Sequence, residues 1–178
     1  MRIANIMFSK GGGGIERAFI DYCEGLRDLG HQSIAITAPD AMVNSELREL
    51  NIETHHVSNL GEWDFFAALR LRRLLLELKF NVVIANANRA FTLSRKAIKG
   101  RIPLIGIVQN YSTSRYNAAD AVFTTTHDLV ETMIKQGIPK DNVFHIPNMI
   151  KCSELPHRGN RNEPPVIGTM GRFVAKKG

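Results

Sequence analysis

Residues 2–37, RIANIMFSKGGGGIERAFIDYCEGLRDLGHQSIAIT, decide the fold of this 178-residue chain. The first seven, RIANIMF, form a short and mostly apolar run that predicts a buried strand. Four consecutive glycines follow at 11–14, and the period then changes. Ile15, Ala18, Phe19, Tyr22, Cys23, Leu26 and Leu29 recur at the 3.6-residue spacing of one helix face, which predicts a helix over 15–29 closed by Gly30. SIAIT at 33–37 is a second β-branched run. A strand, a glycine turn, a helix and a strand make the opening unit of a parallel sheet.

The same alternation continues outward from that unit. The pattern predicts a short helix near 44–50, a strand over 52–57 and a long helix over 62–79, with Ala67, Leu71, Leu74, Leu75 and Leu78 on one stripe. FNVVIA at 80–85 is the fourth strand, and Asn88 can cap a helix running to Gly100. Strands five, six and seven are IPLIGIV, AVFTT and NVFHI, the last two separated by HDLVETMIKQ with Thr126 as its cap and Gly137 as its stop. Apolar strands joined by helices indicate a sheet covered on both faces. The expected fold is α/β, a Rossmann-like doubly wound parallel sheet over residues 1–148. A polar linker is expected over 149–165. PPVIGTMGRFVAKKG then offers a strand and a glycine-arginine turn, so 166–178 is expected to begin something further.

Composition bounds the class. With 44% hydrophobic and 22% charged residues the chain suits a soluble globular protein. No apolar run approaches the ~20 residues that span a bilayer, and the N-terminus has no signal-cleavage pattern. Cys23 and Cys152 lack metal-ligand spacing and are expected to be reduced thiols of a cytoplasmic protein. His55 and His56 alternate across a strand, so no metal site is expected there. The net charge of +6 favours anionic partners. Nucleic acid is not expected, since no aromatic-basic platform is evident.

In an open parallel sheet, ligands bind beyond the carboxyl ends of the strands. Every such position here is polar: SKGGGG after strand one, Asn86-Ala-Asn88-Arg89 after strand four, QNYSTSRY after strand five, TTTH at the end of strand six. The glycines open a helix, where free N–H groups and a partial positive charge suit a phosphate. A dinucleotide fingerprint lacks its third glycine, because Glu16 or Arg17 stands there, although Asp40 could bind a ribose. A Walker loop lacks its Gly-Lys-Ser/Thr. A nicotinamide-dependent enzyme, a non-catalytic ligand-binding domain and a ligand-free turn remain open alternatives.

GGGGIERAFIDYCEGLRDLGHQSIAIT resembles the opening of glycosyltransferase family 4, with its Gly-Gly-x-Glu-Arg loop and Leu-Gly-His-like turn. NAADAVFTTTHDLVETMIKQGIPKDNVFHIPN is similar to a later block of that family, and GRFVAKKG to its Gly-Arg-Leu…Lys-Gly motif. The resemblance implies a GT-B fold, two Rossmann-like domains facing across a cleft, with 1–148 as the acceptor side and 166–178 as the truncated start of the donor-binding side. It implies sugar transfer with retention, no obligatory metal and no cofactor, from a UDP- or GDP-linked nucleotide-sugar donor to a glycan or lipid-linked acceptor of cell-surface polysaccharide or lipopolysaccharide type. Gly13, Gly14, Arg172 and Lys177 would then meet the donor phosphates. Asn86, Asn88, Gln109, Asn110 and Tyr111, on the loops after strands four and five, form the expected acceptor-binding set. Gln109 and Asn86 stand where many members carry histidines, and Pro147-Asn148-Met149 replaces Pro-Asn-Gly. An amide can hydrogen-bond a sugar hydroxyl but cannot act as a base, so no catalytic residue is assigned. The family's Glu-x7-Glu motif belongs to the second domain and is not found in 166–178, and the chain by itself is expected to be inactive. Phe65, Leu69 and Leu76 beside Arg70, Arg72 and Arg73 fit either a wide buried face with a solvated basic edge or peripheral contact with the inner face of a membrane.

Overall fold

A computed structural model describes residues 1–149 and Gly168. Among these residues seven parallel strands form one sheet in the order β3-β2-β1-β4-β5-β6-β7. The strands are β1 (Arg2–Met7), β2 (Gln32–Thr37), β3 (Thr54–His56), β4 (Val82–Asn86), β5 (Leu104–Val108), β6 (Ala121–Thr124) and β7 (Val143–His145). The helices are α1 (Gly14–Asp28), α2 (Val43–Glu49), α3 (Phe65–Glu77), α4 (Ala87–Ile98) and α5 (His127–Lys135). The order reverses direction between β1 and β4, whose ends lie level: Met7 pairs with Thr37 on one side and Asn86 on the other.

The period-2 alternation of β1 explains how two helical layers are held. Ala4, Ile6 and Phe8 pack with Ala67, Leu71 and Leu75 of α3 and with Ala90, Phe91 and Leu93 of α4. Their neighbours Ile3 and Met7 face the other way, toward Tyr22 and Phe19 of α1. Both faces are thus buried, which is why the strands read as nearly unbroken apolar runs. The doubly wound expectation holds.

Three local expectations shift. The long helix begins at Phe65 rather than 62, because the Asp64 side chain caps it by accepting from Ala67 N at 2.8 Å. Helix α4 begins at Ala87 instead of after an Asn88 cap. Leu29, placed on the apolar face of α1, is 75% exposed, beyond the last helical turn. The connection from β5 to β6 holds only a single 3-10 turn, Tyr116–Ala118, where other crossovers hold an α-helix. The expected linker and second-domain start lie outside the described residues, apart from Met149 and Gly168.

Candidate functional site

The carboxyl edge of the sheet is built on the crossing between β1 and β4. After β1, the chain passes Phe8, Ser9 and Lys10 and enters the glycine run. Gly13 is the N-cap of α1 in extended backbone, and no side chain caps that helix end. Its first N–H groups therefore face outward with the positive end of the helix dipole. All four glycines are exposed. A Cβ added at Gly11 or Gly14 would meet nothing within 4 Å, and at Gly12 only Met42 at 3.5 Å. At Gly13 it would approach Glu16 Oε2 at 3.2 Å, the end of a flexible side chain. None of the four has the left-handed φ that glycine favours. The protein's own packing does not demand this run.

The charged groups around the loop are largely engaged. Ser9 donates its hydroxyl to Glu16, which lies in the first turn of α1. Lys10 pairs with Asp40 at 2.6 Å, so the carboxylate that could bind a ribose is tied to the loop after β1. That pair is exposed and contributes little stability. Arg17 turns away, bonding Asp21 through Nη2 at 2.7 Å and pairing with Glu46, which ties α1 to α2. Its hydrogen bond to Asp21 holds the Arg17 pKa above its ordinary value.

Across the crossing, Asn86 ends β4. Its side chain is fully buried, and Nδ2 donates to Asn5 Oδ1 at 2.7 Å and to Ile6 O at 3.2 Å. Asn5 in turn donates to Cys23 Sγ at 3.1 Å beneath α1. Ala87 has φ +66, the left-handed region that an alanine rarely adopts. This twist turns the chain directly from β4 into α4. Asn88 Nδ2 donates to Ser112 Oγ at 2.9 Å, and Ser112 N donates to Asn110 Oδ1 at 3.0 Å. Arg89 Nη1 donates to Phe8 O at 3.3 Å, joining the loops of β1 and β4.

Together Ser9, Asn88, Arg89 and Asn110 line a crevice of about 280 Å³ directly over the strand crossing. It offers amides, a hydroxyl and a guanidinium. Among the described residues its lining has no carboxylate or histidine, which suits it to orient hydroxyl groups and to hold negative charge. Asn88 and Asn110 of the expected acceptor set meet here, while Asn86 forms the buried base beneath them. Gln109 is half-buried, with its Nε2 unbonded and shielded from solvent. Tyr111 is 69% exposed beyond the crevice, and its hydrogen bond to Asp128 raises the phenol pKa. Sequence reasoning did not single out Ser9 or Arg89 as site residues. Ser9 was within reach, as the first polar residue after a predicted strand; the Arg89 link to Phe8 depends on the turn at Ala87, which nothing in the sequence announces. Arg172 and Lys177 lie outside the described residues.

The sequence profile described as Glycosyltransferase Family 4 matches residues 12–154. The chain belongs to that family. Comparison with curated proteins finds no match. Among solved structures, Anabaena HepE in complex with UDP-glucose is similar at a TM-score of 0.69 and 18% identity, over 84% of this chain and 44% of that one. The lipopolysaccharide outer core galactosyltransferase WaaB is similar at a TM-score of 0.69 and 15% identity, over 90% of this chain and 50% of that one. A UDP-N-acetylglucosamine 2-epimerase is also similar, at a TM-score of 0.64 and 16% identity, over 83% of this chain and 48% of that one. At these identities the likeness establishes the fold, the Rossmann-like half of a GT-B architecture. The family 4 chain spans about half the length of these structures.

Proposed function

We propose that this family 4 chain is the acceptor-side domain of a retaining glycosyltransferase, which moves a sugar from a UDP- or GDP-linked donor to a glycan or lipid-linked acceptor. One observation carries the reading beyond family membership. Four exposed glycines stand at the open N-terminus of α1, beside the strand crossing, although a Cβ would be accommodated at Gly11, Gly12 and Gly14 and at Gly13 would press only on the flexible end of Glu16. A ligand that must approach the backbone gives those glycines a purpose that packing does not. HepE is a structure with UDP-glucose, which supports a nucleotide-sugar donor for this chain too.

In this reading Gly13, Gly14, Arg172 and Lys177 meet the donor phosphates. Cationic side chains offset the charge that grows on a leaving nucleoside diphosphate. The acceptor hydroxyl rests among Asn88, Asn110 and Ser9, with Gln109 and Tyr111 along its rim and Asn86 supporting it from below. None of these side chains is a base, so the proton passes to the departing donor phosphate. No metal or cofactor takes part. The domain comprises residues 1–148, 149–165 link it to a donor-binding domain that starts at 166–178, and without that partner domain the chain transfers nothing.

The domain works in the cytoplasm, at the inner face of a membrane. No helix among the described residues is long and apolar enough to cross one. Yet Leu60, Phe65 and Phe66 are 99%, 65% and 71% exposed around the start of α3. Arg70 and Arg73 flank them, a pattern suited to shallow insertion beside anionic lipid.

Replacement of Gly13 and Gly14 by valine in the longer enzyme tests the donor side. We expect transfer to fall at least 100-fold while circular dichroism and melting temperature stay within a few degrees of the parent. Retained turnover would remove the ligand role of the loop.

A further inference from the structure

A second hollow, of about 300 Å³, opens on the flank of the domain between the start of α3, the outer side of α4 and the segment after β5. Trp63, Arg95, Lys96, Ser114 and Arg115 line it, with buried Phe91 at its base. Lys96 Nζ stands 4.1 Å from the centroid of the Trp63 ring and donates to Glu62 O at 3.2 Å. Arg115 pairs with the Glu62 carboxylate. The Arg95 guanidinium makes no side-chain bond among the described residues. Three cations against one carboxylate leave the hollow with two net positive charges beside an aromatic ring.

Helix α4 connects this hollow to the crevice over the strand crossing. Asn88, Thr92 and Arg95 follow one another at i, i+4 and i+7 and so share one face of the helix. Thr92 lines the hollow as well. At 1.5 Å per residue, Arg95 lies about 10 Å along the axis from Asn88. A molecule whose hydroxyl rests at Asn88 can therefore extend along α4 and place a negative group between Arg95, Lys96 and Arg115. Tight helix and sheet packing does not require this arrangement, since Trp63 is 76% exposed and the three cations come from two segments, Arg95 and Lys96 from α4 and Arg115 from the stretch after β5.

We propose that this hollow seats a phosphate group, or an equally compact dianion, and that the group is carried by the acceptor. The second half of that statement rests on the acceptor-side reading above; the anion seat itself does not. Arg95 supplies the free charge, Lys96 and Arg115 the converging donors, and Trp63 the apolar wall against which a sugar ring or lipid stem beside the phosphate can lie.

Trp63 is the sole tryptophan of the chain, so its fluorescence reports on the hollow directly. The experiment titrates the 178-residue chain with inorganic phosphate, glucose 1-phosphate and glucose at constant ionic strength. Parallel samples receive phosphatidylcholine vesicles with and without phosphatidylglycerol. The expected result is a saturable change in Trp63 emission with glucose 1-phosphate, none with glucose, and at least fivefold weaker binding in Arg95→Ala. A matching response to the anionic vesicles assigns the phosphate to a lipid, and its absence assigns it to a soluble sugar phosphate; both outcomes support the seat. No saturable response to either soluble phosphate overturns the proposal, even if vesicles shift the emission, because contact with a membrane surface needs no phosphate seat. Unchanged affinity in Arg95→Ala overturns it too. No donor is present, so this failure would leave the transferase reading intact, whereas loss of the Gly13 and Gly14 requirement would leave the titration untouched.

Discussion

Gly106 shows how one missing Cβ shapes the loop after β5. It lies on β5, and a Cβ there would fall 2.4 Å from Tyr116 Cδ1 and 3.3 Å from Phe91 Cδ2. Tyr116 covers that gap, its ring tilted at 47° to that of Phe91 with centroids 4.7 Å apart, and its hydroxyl donates to Ile107 O at 3.2 Å. The loop from Gln109 to Arg115 is anchored by this seat. Gly106→Ala is expected to cost about 1–3 kcal/mol, as overpacking does, and to lower the urea midpoint. Gly14→Ala, with open space around it, should leave the midpoint unchanged; equal effects of the two would contradict this account of the glycines. Asn86 carries the opposite lesson. The sequence places it at the end of a strand, where a sugar-binding amide belongs, but it cannot reveal that the side chain points inward to Asn5. Asn86→Ala should cost roughly 1–3 kcal/mol by leaving the buried Asn5 amide without its partner, as a denaturation curve would show. A third consequence is alkaline. Burial pushes the Cys23 thiol from an ordinary value of 9.0 up to about 12, and the Tyr22 phenol from 10.0 to about 12. The unfolded chain releases these protons first, so stability present below pH 9 is lost as pH rises through 9–12. Urea melts at pH 8, 9.5 and 11 should show a falling midpoint, and a flat one would contradict the burial of both groups.

At the scale of elements, periodicity was the reliable guide and capping chemistry the uneven one. The stripe Ala67, Leu71 and Leu75 is buried as its spacing predicts. Thr126 caps α5 as its position predicts, accepting from Leu129 N at 3.3 Å. Thr126→Ala should therefore destabilise the domain by about 0.5–2 kcal/mol, measured by thermal melting against the parent. Helix α4 escaped the same logic. Asn88 has the chemistry of a cap, but the left-handed Ala87 starts the helix earlier and leaves Asn88 free to reach Ser112. An alanine in that conformation costs about 1–2 kcal/mol that glycine avoids. Ala87→Gly should thus hold or raise stability, whereas Ala87→Val should lower it; the reverse order would show that the turn carries no strain.

At the scale of the molecule, the parallel doubly wound sheet was legible because buried parallel strands leave an unbroken apolar signature and glycines mark the turns between elements. The site was legible as a rim of polar loops and no further. Which side chains converge depends on strand order, and the crossing between β1 and β4 is a tertiary fact that brings residues 9, 88 and 110 together. The fold alone does not select the chemistry, since an epimerase of UDP-N-acetylglucosamine shares it. The most direct test is proton NMR of the product formed when the proposed longer enzyme is given α-linked UDP- and GDP-sugars with membrane glycolipid or glycan acceptors. The account predicts a new glycosidic bond whose anomeric proton has the α configuration of the donor. An inverted linkage would contradict retention, and epimerised or merely hydrolysed donor with no new linkage would contradict glycosyl transfer altogether.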